Sequence, residues 1–509
     1  MKLSKVFRIP VLTAVLISLA LSGCGGKKTG SDENDTVTID WVPQNDSPVN
    51  TDSAVVKKYE EILNVKFNFI YLDRSKLTEL LNLRIASNQI PDVMRLTSDV
   101  YRSYIDQGVL ASVTEEELVK NAPELYKLCK ENAWDSIWDN LKIDGKIYGI
   151  PSLNANGKYP MVPIWRDDWL KNVGIEKIPE TLEEAETAFR KFVNEDPDGN
   201  GVNDTYALSN LGFNAVYGAF GTAGSGAWFE KDGKLVYTLT MPEMKEALTL
   251  LNKWYKEGLI DPEFITGESK GQYWANTVSF WNGRIGFSVP GMFYHISSGD
   301  ETSYASQNYT NFKAIQGENA TYAPGRPFTD PEGKSGTSQW GTFSGNYVVM
   351  GKNVDDDQVK KEKILQIHEK LNSDFDFFKL CVLGIENENY TVDGDNYNVI
   401  LSDTNEGLDT NGIVYVQNNF GFNSKIKKKD FEYAEKVAGF PGYVTKVWEG
   451  LPSSGQYSGI VESKGKEAII LFITGQRSLD EFDKYVEEMN NAGLAQLTKE
   501  ANEWYMKYK

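Results

Sequence analysis

Histidine and cysteine are scarce in this sequence. Its 509 residues include 2 histidines, His295 and His368, and 3 cysteines. Serine and cysteine nucleophiles need an adjacent base, most often histidine, so this kind of catalysis has almost no material here. Cys129 and Cys381 lie in apolar helical contexts. We interpret them as two buried free thiols, with a disulfide between them as the alternative.

Basic residues are outnumbered by acidic ones. The chain has 53 Lys and Arg against 72 Asp and Glu, which gives a formal net charge of -19. Nucleic acids and other polyanions are bound by a net basic surface. We therefore expect no nucleic-acid partner.

The N-terminal apolar run is too short to span a membrane comfortably. It covers residues 11–21, follows the basic residues of the stretch 2–8, and falls short of the roughly 20 residues that cross a bilayer. This arrangement is typical of an export signal. The run ends in Leu-Ser-Gly-Cys, which resembles the lipobox of bacterial lipoproteins and implies cleavage before Cys24 and acylation of its thiol. An ordinary secretory signal with an incidental cysteine is the alternative.

A polar, glycine-rich stretch follows the predicted signal. Residues 1–23 are assigned to the signal peptide and 24–36 to a lipidated tether. Such a stretch cannot bury apolar surface and is expected to be flexible. The protein is therefore predicted to be anchored to the extracytoplasmic face of the cell membrane by lipid alone, without crossing it.

Strand and helix patterns alternate after the tether. Alternating apolar residues predict strands at 36–41, 65–70 and 92–96, and helical spacing predicts helices at 55–63 and 77–85. This order predicts a parallel sheet in an α/β fold. The chain is also too long for one ordinary core, so we expect at least two lobes.

Two segments match a capping box, which marks the start of a helix. They are Thr181-Leu182-Glu183-Glu184 and Ser478-Leu479-Asp480-Glu481. In such a box the first and fourth side chains each bond the other residue's backbone N–H, so both segments predict reciprocal caps.

Five phrases resemble the family 1 extracellular solute-binding proteins, in the family's order and over nearly the whole chain. They are LRIASNQIPDVMRL (83–96), DGKIYGIP (144–151), IWRDDWLKNVGI (164–175), EGLIDPEF (257–264) and FITGQRSLDEFDKYVEEMNNAGL (472–494). The first phrase departs from the family at Asn88-Gln89, where Gly-Asp is usual.

The resemblance implies the two-lobed type II periplasmic-binding-protein fold, with mixed sheets flanked by helices and strands crossing between the lobes. We assign residues 37–155 with 343–378 to lobe 1, and 156–342 with 379–509 to lobe 2. The implied function is that of a monomeric, non-enzymatic component of an ABC importer. It would close around a carbohydrate, for which we favour an oligosaccharide, and deliver it to the permease subunits.

Aromatic rings that can stack on sugars and polar groups that can bond hydroxyls are the candidate ligand contacts. The candidates at residues 41–46 and 97–98 also lie at predicted strand ends, where open α/β sheets bind ligands. The candidates are Trp41, Asn45, Asp46, Thr97, Ser98, Trp165, Arg166, Trp274, Trp281, Met292 and Trp340. For each aromatic ring the alternative is a place in the core. For Arg166 it is a structural ion pair with a neighbouring aspartate.

Residues 196–204 have the spacing of a calcium-binding loop. Oxygen ligands are expected at alternate positions, with Gly201 in the tight turn. The candidate ligands are Asp196, Asp198, Asn200, Asp204 and the backbone carbonyl of Val202. A similar loop in alginate-binding relatives of the family binds calcium structurally, but Thr205 and Ala207 stand here where an acidic ligand is expected. A solvated turn is the alternative.

Other functions remain open from the sequence. A surface-anchored glycoside hydrolase needs two carboxylates across the scissile bond, and 72 acidic residues supply pairs without any hydrolase-like motif. A binding protein for peptides or other polar solutes, or one that serves a sensor or adhesin, would share the fold. Turnover of oligosaccharides would favour the enzyme, and tight binding without products would favour the transporter component.

Overall fold

A computed structural model describes residues 36–43, 48–133, 137–224, 226–265, 278–291, 312–400, 420–447 and 450–508. Its helices are α1 Ala54–Leu63, α2 Leu77–Ala86, α3 Ser98–Asp106, α4 Glu115–Asn121, α5 Pro123–Asn132, α6 Ile137–Asn140, α7 Asp167–Asn172, α8 Leu182–Asn194, α9 Phe213–Ala219, α10 Pro242–Lys256, α11 Val278–Trp281, α12 Gln358–Ser373, α13 Phe375–Leu383, α14 Phe420–Ile426, α15 Lys428–Val437, α16 Ser454–Thr474, α17 Phe482–Met489 and α18 Ala495–Tyr508.

The strands are mostly short. They are β1 Val37–Trp41, β2 Val65–Phe69, β3 Val93–Thr97, β4 Lys142–Ile143, β5 Lys146–Ile147, β6 Gly149–Leu153, β7 Ile164–Trp165, β8 Tyr206–Leu208, β9 Trp228–Lys231, β10 Lys234–Tyr237, β11 Ile285–Ser288, β12 Ala323–Pro324, β13 Thr337–Ser338, β14 Phe343–Met350, β15 Tyr390–Asp393, β16 Asn396–Val399 and β17 Gly442–Tyr443.

The largest sheet has the strand order β2-β1-β3-β14-β6. Strand β1 is parallel to β2 and β3, with Trp41 opposite Phe69 and Val93. Strand β14 runs antiparallel to both β3 and β6. The predicted strand–helix–strand–helix–strand unit is confirmed, and the antiparallel return of β14 makes the sheet mixed.

A second sheet has the order β12-β7-β11-β8. Strand β11 is parallel to β8 and antiparallel to β7. Helix α8 supplies Phe189 and Phe192 to the same apolar cluster as Trp165 of β7 and Phe287 of β11. This sheet is therefore also flanked by helix, as the expected α/β class requires.

The described residues build two large apolar cores. The first core takes its buried residues from 39–153 and 343–381, and the second takes them from 165–289, Phe328 and 451–501. A smaller third cluster joins residues 159–164 with residues from 280–322 and 434–438. Residues 37–509 nonetheless form one compact unit.

One helix bears on the predicted boundary between the lobes. Cys381 on α13 is fully buried in the first core, although the sequence assigned residues after 378 to lobe 2. The assigned boundary thus falls inside a continuous helix, which packs on the first core with one side and contributes Phe378 and Leu383 to a satellite cluster with another. The lobe boundaries themselves stay a prediction.

The two predicted helix caps differ in outcome. The capping box at Thr181 and Glu184 is confirmed, with both reciprocal hydrogen bonds present. At Ser478 the hydroxyl accepts from the backbone of Asp480, and Leu479–Glu481 form a 3₁₀ turn before α17 begins. The second capping box was wrong because the tighter turn brings the second following N–H, not the third, to the hydroxyl.

Cys129 and Cys381 are free and fully buried, which confirms the preferred reading of two thiols. In the part of the chain that the structure describes, no helix combines the length and apolar character needed to cross a bilayer.

Candidate functional site

The first sheet ends in polar groups at its carboxyl edge. Thr97 closes β3 and is exposed, and Ser98 begins α3 and is half-buried. These two predicted residues lie at the edge where the fold class places ligands. Asn45 and Asp46, predicted to follow β1, lie outside the described residues.

Trp41 lies in the first core and not on this edge. Its side chain is 3 % exposed and packs edge-on against Phe67, with ring centroids 5.6 Å apart, and against His368 at 5.8 Å. Val42 and Pro43, which follow the strand, are also buried. The alternative reading of Trp41 as a core residue therefore describes its position. Burial alternates along β1, with Ile39 and Trp41 buried and Thr38 exposed, so Trp41 lies on the side of the strand that faces the core.

Trp165 is also a core residue. It is fully buried, with ring centroids 4.6 Å from Phe287 and 5.4 Å from Phe189. Trp165 is on β7, and the rings of Phe287 and Phe189 that enclose it leave no face free for a solute. The prediction of Trp165 as a ligand contact was therefore wrong.

Arg166 forms the structural ion pair that was its alternative reading. The residue is 3 % exposed. Its guanidinium donates through Nε and Nη2 to the carboxylate of Asp168, at 2.9 and 2.7 Å. Its Nη1 donates to Gln316 at 3.0 Å, and the group stacks 4.6 Å from the ring of Trp169. Its guanidinium is thus engaged by protein groups and joins the first turn of α7 to Gln316.

Two predicted aromatics pack against the third cluster. Trp281 and Trp340 are both half-buried there. Each therefore retains partly exposed surface, which suits stacking on a solute. Trp274 and Met292 lie outside the described residues.

The structure adds a polar pair that the sequence analysis missed. Parallel pairing of Leu208 with Phe287 places Ser209 and Ser288 side by side at the carboxyl ends of β8 and β11. They are 1 % and 0 % exposed, and neither hydroxyl has a hydrogen-bond partner among the described residues. The buried Oδ1 of the neighbouring Asn210 is unpartnered in the same way. The sequence signal that could have indicated this site is the Ser-Asn pair directly after β8 and before a helical segment.

Two segments, 149–162 and 336–350, run side by side between the cores, and we call them the crossing segments. The N–H of Asn154 donates to the carbonyl of Thr342 at 2.8 Å, and that of Met161 to Ser338 at 2.9 Å. A Cβ added to Gly157 would lie 1.8 Å from the carbonyl oxygen of Gly341. The crossing segments therefore touch backbone on backbone.

Pro151 lies within β6 opposite Tyr347. Strand β6 is the edge of its sheet, where a residue without an N–H costs no ladder hydrogen bond.

The loop at 196–204 brings its polar side chains together. The N–H of Gly201 donates to Asp196 at 2.9 Å, and the side-chain amide of Asn200 donates to Asp198 and Asp204 at 3.0 and 3.1 Å. Gly201 has a φ of 84°, as the tight turn requires. Partial burial, a hydrogen bond with Asp196 and repulsion by Asp196 and Asp204 raise the pKa of Asp198.

The donor set of this loop fits a hard cation in type, but the geometry is that of a hydrogen-bonded turn. Within the described ranges, no group of three or more His, Cys, Asp or Glu side chains is arranged to hold a metal ion. Burial raises the pKa of Asp198 most, and the neighbouring Asp196 and Asp204 carboxylates raise it further; a bound cation would offset that repulsion.

Comparison with known proteins identifies the family. Residues 54–361 match the model of the bacterial extracellular solute-binding proteins. The polygalacturonan/rhamnogalacturonan-binding protein YtcQ of Bacillus subtilis is 24 % identical over 75 % of this chain and 74 % of its own, and the lipoprotein LipO of the same organism is 25 % identical over 97 % of both.

Solved structures share the fold. Streptococcus pneumoniae FusA, an ABC-transporter substrate-binding protein in complex with kestose, superposes with a TM-score of 0.68 at 16 % identity, over 93 % of this chain and 99 % of its own. The alginate-binding protein AlgQ2 without calcium ion gives 0.66 at 18 %, over 93 % and 98 %. Because the family model covers more than half of its length, this chain belongs to the bacterial extracellular solute-binding proteins.

Proposed function

We propose that this protein is the solute-binding component of an ABC importer and that it captures an oligosaccharide between its two cores. Family membership supports the binding role. Relatives named for polygalacturonan and fructooligosaccharide, and a structural neighbour solved with kestose, support a carbohydrate ligand.

The observation that carries the proposal is the pair of buried hydroxyls at Ser209 and Ser288. A buried hydroxyl without a partner costs about 1–3 kcal/mol, so such a pair is retained where something else satisfies it. A sugar hydroxyl both donates and accepts, and it can bond two neighbouring serines at once. Thr97 and Ser98 offer similar groups on the first sheet.

Binding without turnover is the direct test. Titration calorimetry against kestose, oligogalacturonides and short peptides should give heat with one oligosaccharide class only, and mass spectrometry of the mixture should show that oligosaccharide unchanged. Cleavage products would instead establish an enzyme, and heat with peptides alone would replace the carbohydrate ligand.

Ser288→Ala gives the residue-level arm of this test. Loss of one hydrogen bond should weaken oligosaccharide binding by about 2- to 13-fold. The melting temperature should not fall, because the replaced hydroxyl has no partner in the described residues. Thr249→Ala removes an exposed hydroxyl on α10 that donates to the carbonyl of Lys245; it is the control for affinity and should leave oligosaccharide binding unchanged.

The same proposal includes a lipid anchor and a structural calcium ion. The lipobox-like sequence at Cys24 and the similarity to a lipoprotein support the anchor. The crowded aspartates support calcium, which Asp196, Asp198, Asn200, Asp204 and the carbonyl of Val202 would hold. The ion would neutralise the loop and tie α8 to β8.

Calcium binding is tested by thermal unfolding in EDTA with and without added CaCl₂. At 100 times the dissociation constant the ion should stabilise the protein by about 2.7 kcal/mol. Asp198→Asn should weaken this response and Asp232→Asn, in the exposed β9–β10 turn, should not. Equal melting in EDTA and calcium would leave the loop a solvated turn.

A further inference from the structure

The segment that leads into α16 rests on the first turn of α3. A Cβ added to Gly450 would lie 2.6 Å from the carbonyl oxygen of Ser98 and 3.3 Å from Cβ of Arg102. The φ of Gly450 is not in the left-handed region. Glycine is therefore required here for the close approach alone and not for backbone conformation.

This contact joins the two cores at a place other than the crossing segments. Leu451, the next residue, is buried in the second core. Helix α3 supplies Tyr101 and Tyr104 to the first core. The contact of Ser98 with Gly450 is thus a contact between the first core and the second core.

The Gly450 side of the contact is held firmly within the second core. The carboxylate of Glu500, 8 % exposed, accepts hydrogen bonds from the N–H of Ser453 at 2.9 Å and from its hydroxyl at 2.6 Å. Gln496 donates to the same carboxylate at 2.7 Å. Because Ser453 is fixed to α18 in this way, the segment cannot yield to a clash by itself.

The Ser98 side lies at the candidate binding edge. Ser98 follows the exposed Thr97 at the carboxyl end of β3. A change in the Gly450–Ser98 contact therefore alters how near the second core comes to the polar groups of this candidate edge.

We propose that Gly450 is a positioning residue for solute capture, whose missing side chain lets the second core seat on α3 and so sets the approach of the two cores. The effect on affinity rests on the proposed function. The distance between the two cores, in contrast, is measured without solute. A side chain at 450 raises the free energy of the seated arrangement only, so its population falls and the apparent dissociation constant rises in proportion.

The test compares Gly450→Ala with Gly455→Ala. Gly455 lies in the first turn of α16, is exposed, and an added Cβ would meet nothing within 4 Å. Spin labels on cysteines introduced at the exposed Lys127 and Lys499, one on each core, report the inter-core distance by pulsed electron resonance. The native Cys129 and Cys381 are buried.

Gly450→Ala should shift the solute-free distance distribution to longer values. With kestose, or with the oligosaccharide found by calorimetry, it should weaken binding by about tenfold. Gly455→Ala should leave distances and affinity as in the unsubstituted protein. Should Gly450→Ala fail to fold, Glu500→Ala releases Ser453 and is expected to broaden the distribution.

An unchanged distance distribution in the folded Gly450→Ala protein, or in Glu500→Ala where Gly450→Ala does not fold, overturns the proposal. A shifted distribution in a protein that binds no oligosaccharide supports the positioning role and counts against the proposed function. The two ideas therefore fail separately.

Discussion

At the scale of single residues, His368 has an unusual environment. It is fully buried in the first core against Trp41, and neither ring nitrogen has a hydrogen-bond partner among the described residues. Burial lowers the pKa of His368 from 6.5 to about 3. The folded protein therefore holds this ring neutral at pH values where an unfolded chain protonates it.

This pKa shift predicts that acid destabilises the fold. The stability contributed by the neutral ring is complete above the unfolded pKa of about 6.5 and is lost as pH falls from there towards 3. Between pH 7 and pH 5 the loss should be about 2 kcal/mol. Urea unfolding at both values measures it, and His368→Leu should remove this part of the pH dependence. An unaltered pH dependence in that variant would contradict the assignment.

Residue type alone could not sort ligand contacts from core residues. Trp41 and Trp165 were both candidate stacking rings, yet both are enclosed, because tertiary packing decides which ring keeps a free face. Ser209 and Ser288 were missed for the opposite reason. Serine is common, and only the pairing of β8 with β11 shows that these two hydroxyls are neighbours and buried.

At the scale of secondary-structure elements, a buried charge connects strand and helix. Asp92, 2 % exposed, accepts hydrogen bonds from the backbone N–H of Asp40 and from the ammonium of Lys360 on α12, each at 2.8 Å. Asn353 donates to its other oxygen. Strands β1 and β3 and helix α12 are thus fixed around one carboxylate.

Removal of that carboxylate should be costly. Asp92→Ala leaves the Lys360 ammonium without its partner, and we expect a loss of about 3–5 kcal/mol in the free energy of unfolding. Lys57→Met removes an exposed pair with Asp52 and should cost less than about 1 kcal/mol. Urea unfolding measures both losses. Equal losses in the two variants would show that the Asp92 network contributes no more to the free energy of unfolding than an exposed ion pair.

Elements with strong periodicity were predictable from sequence. Strands β1 to β3 and helices α1 and α2 lie within one or two residues of their predicted bounds, because each combines a clear apolar pattern with a flanking breaker. The 3₁₀ turn at Leu479–Glu481 was not predictable, because its cap uses the same residue types as an α-helical cap.

At the scale of the whole molecule, the proposed anchor decides where the protein works. If Cys24 is acylated, the unsubstituted protein should fractionate with membranes in its host, and Cys24→Ala should appear in the aqueous phase or the medium. Detergent phase separation with immunodetection distinguishes these results. Aqueous partitioning of both proteins would make the cysteine incidental.

The division into two bodies was expected from length, but its details came from the resemblance and the structure. Composition indicates only that one core is too few. The return of residues 343–381 to the first core, after nearly two hundred residues elsewhere, follows from long-range pairing of β14 with β3 that no local pattern contains.

The contact of Gly157 with Gly341 limits what can change at the junction of the crossing segments. Main chain meets main chain at this point, and nearby the side chains of Thr337 and Gln339 donate to main-chain carbonyls of the opposite segment. Loops that contact the solute can then be exchanged without altering this contact. We expect grafts of such loops between relatives to alter sugar preference while the swinging motion survives, and substitution at either glycine to impair motion for every sugar alike.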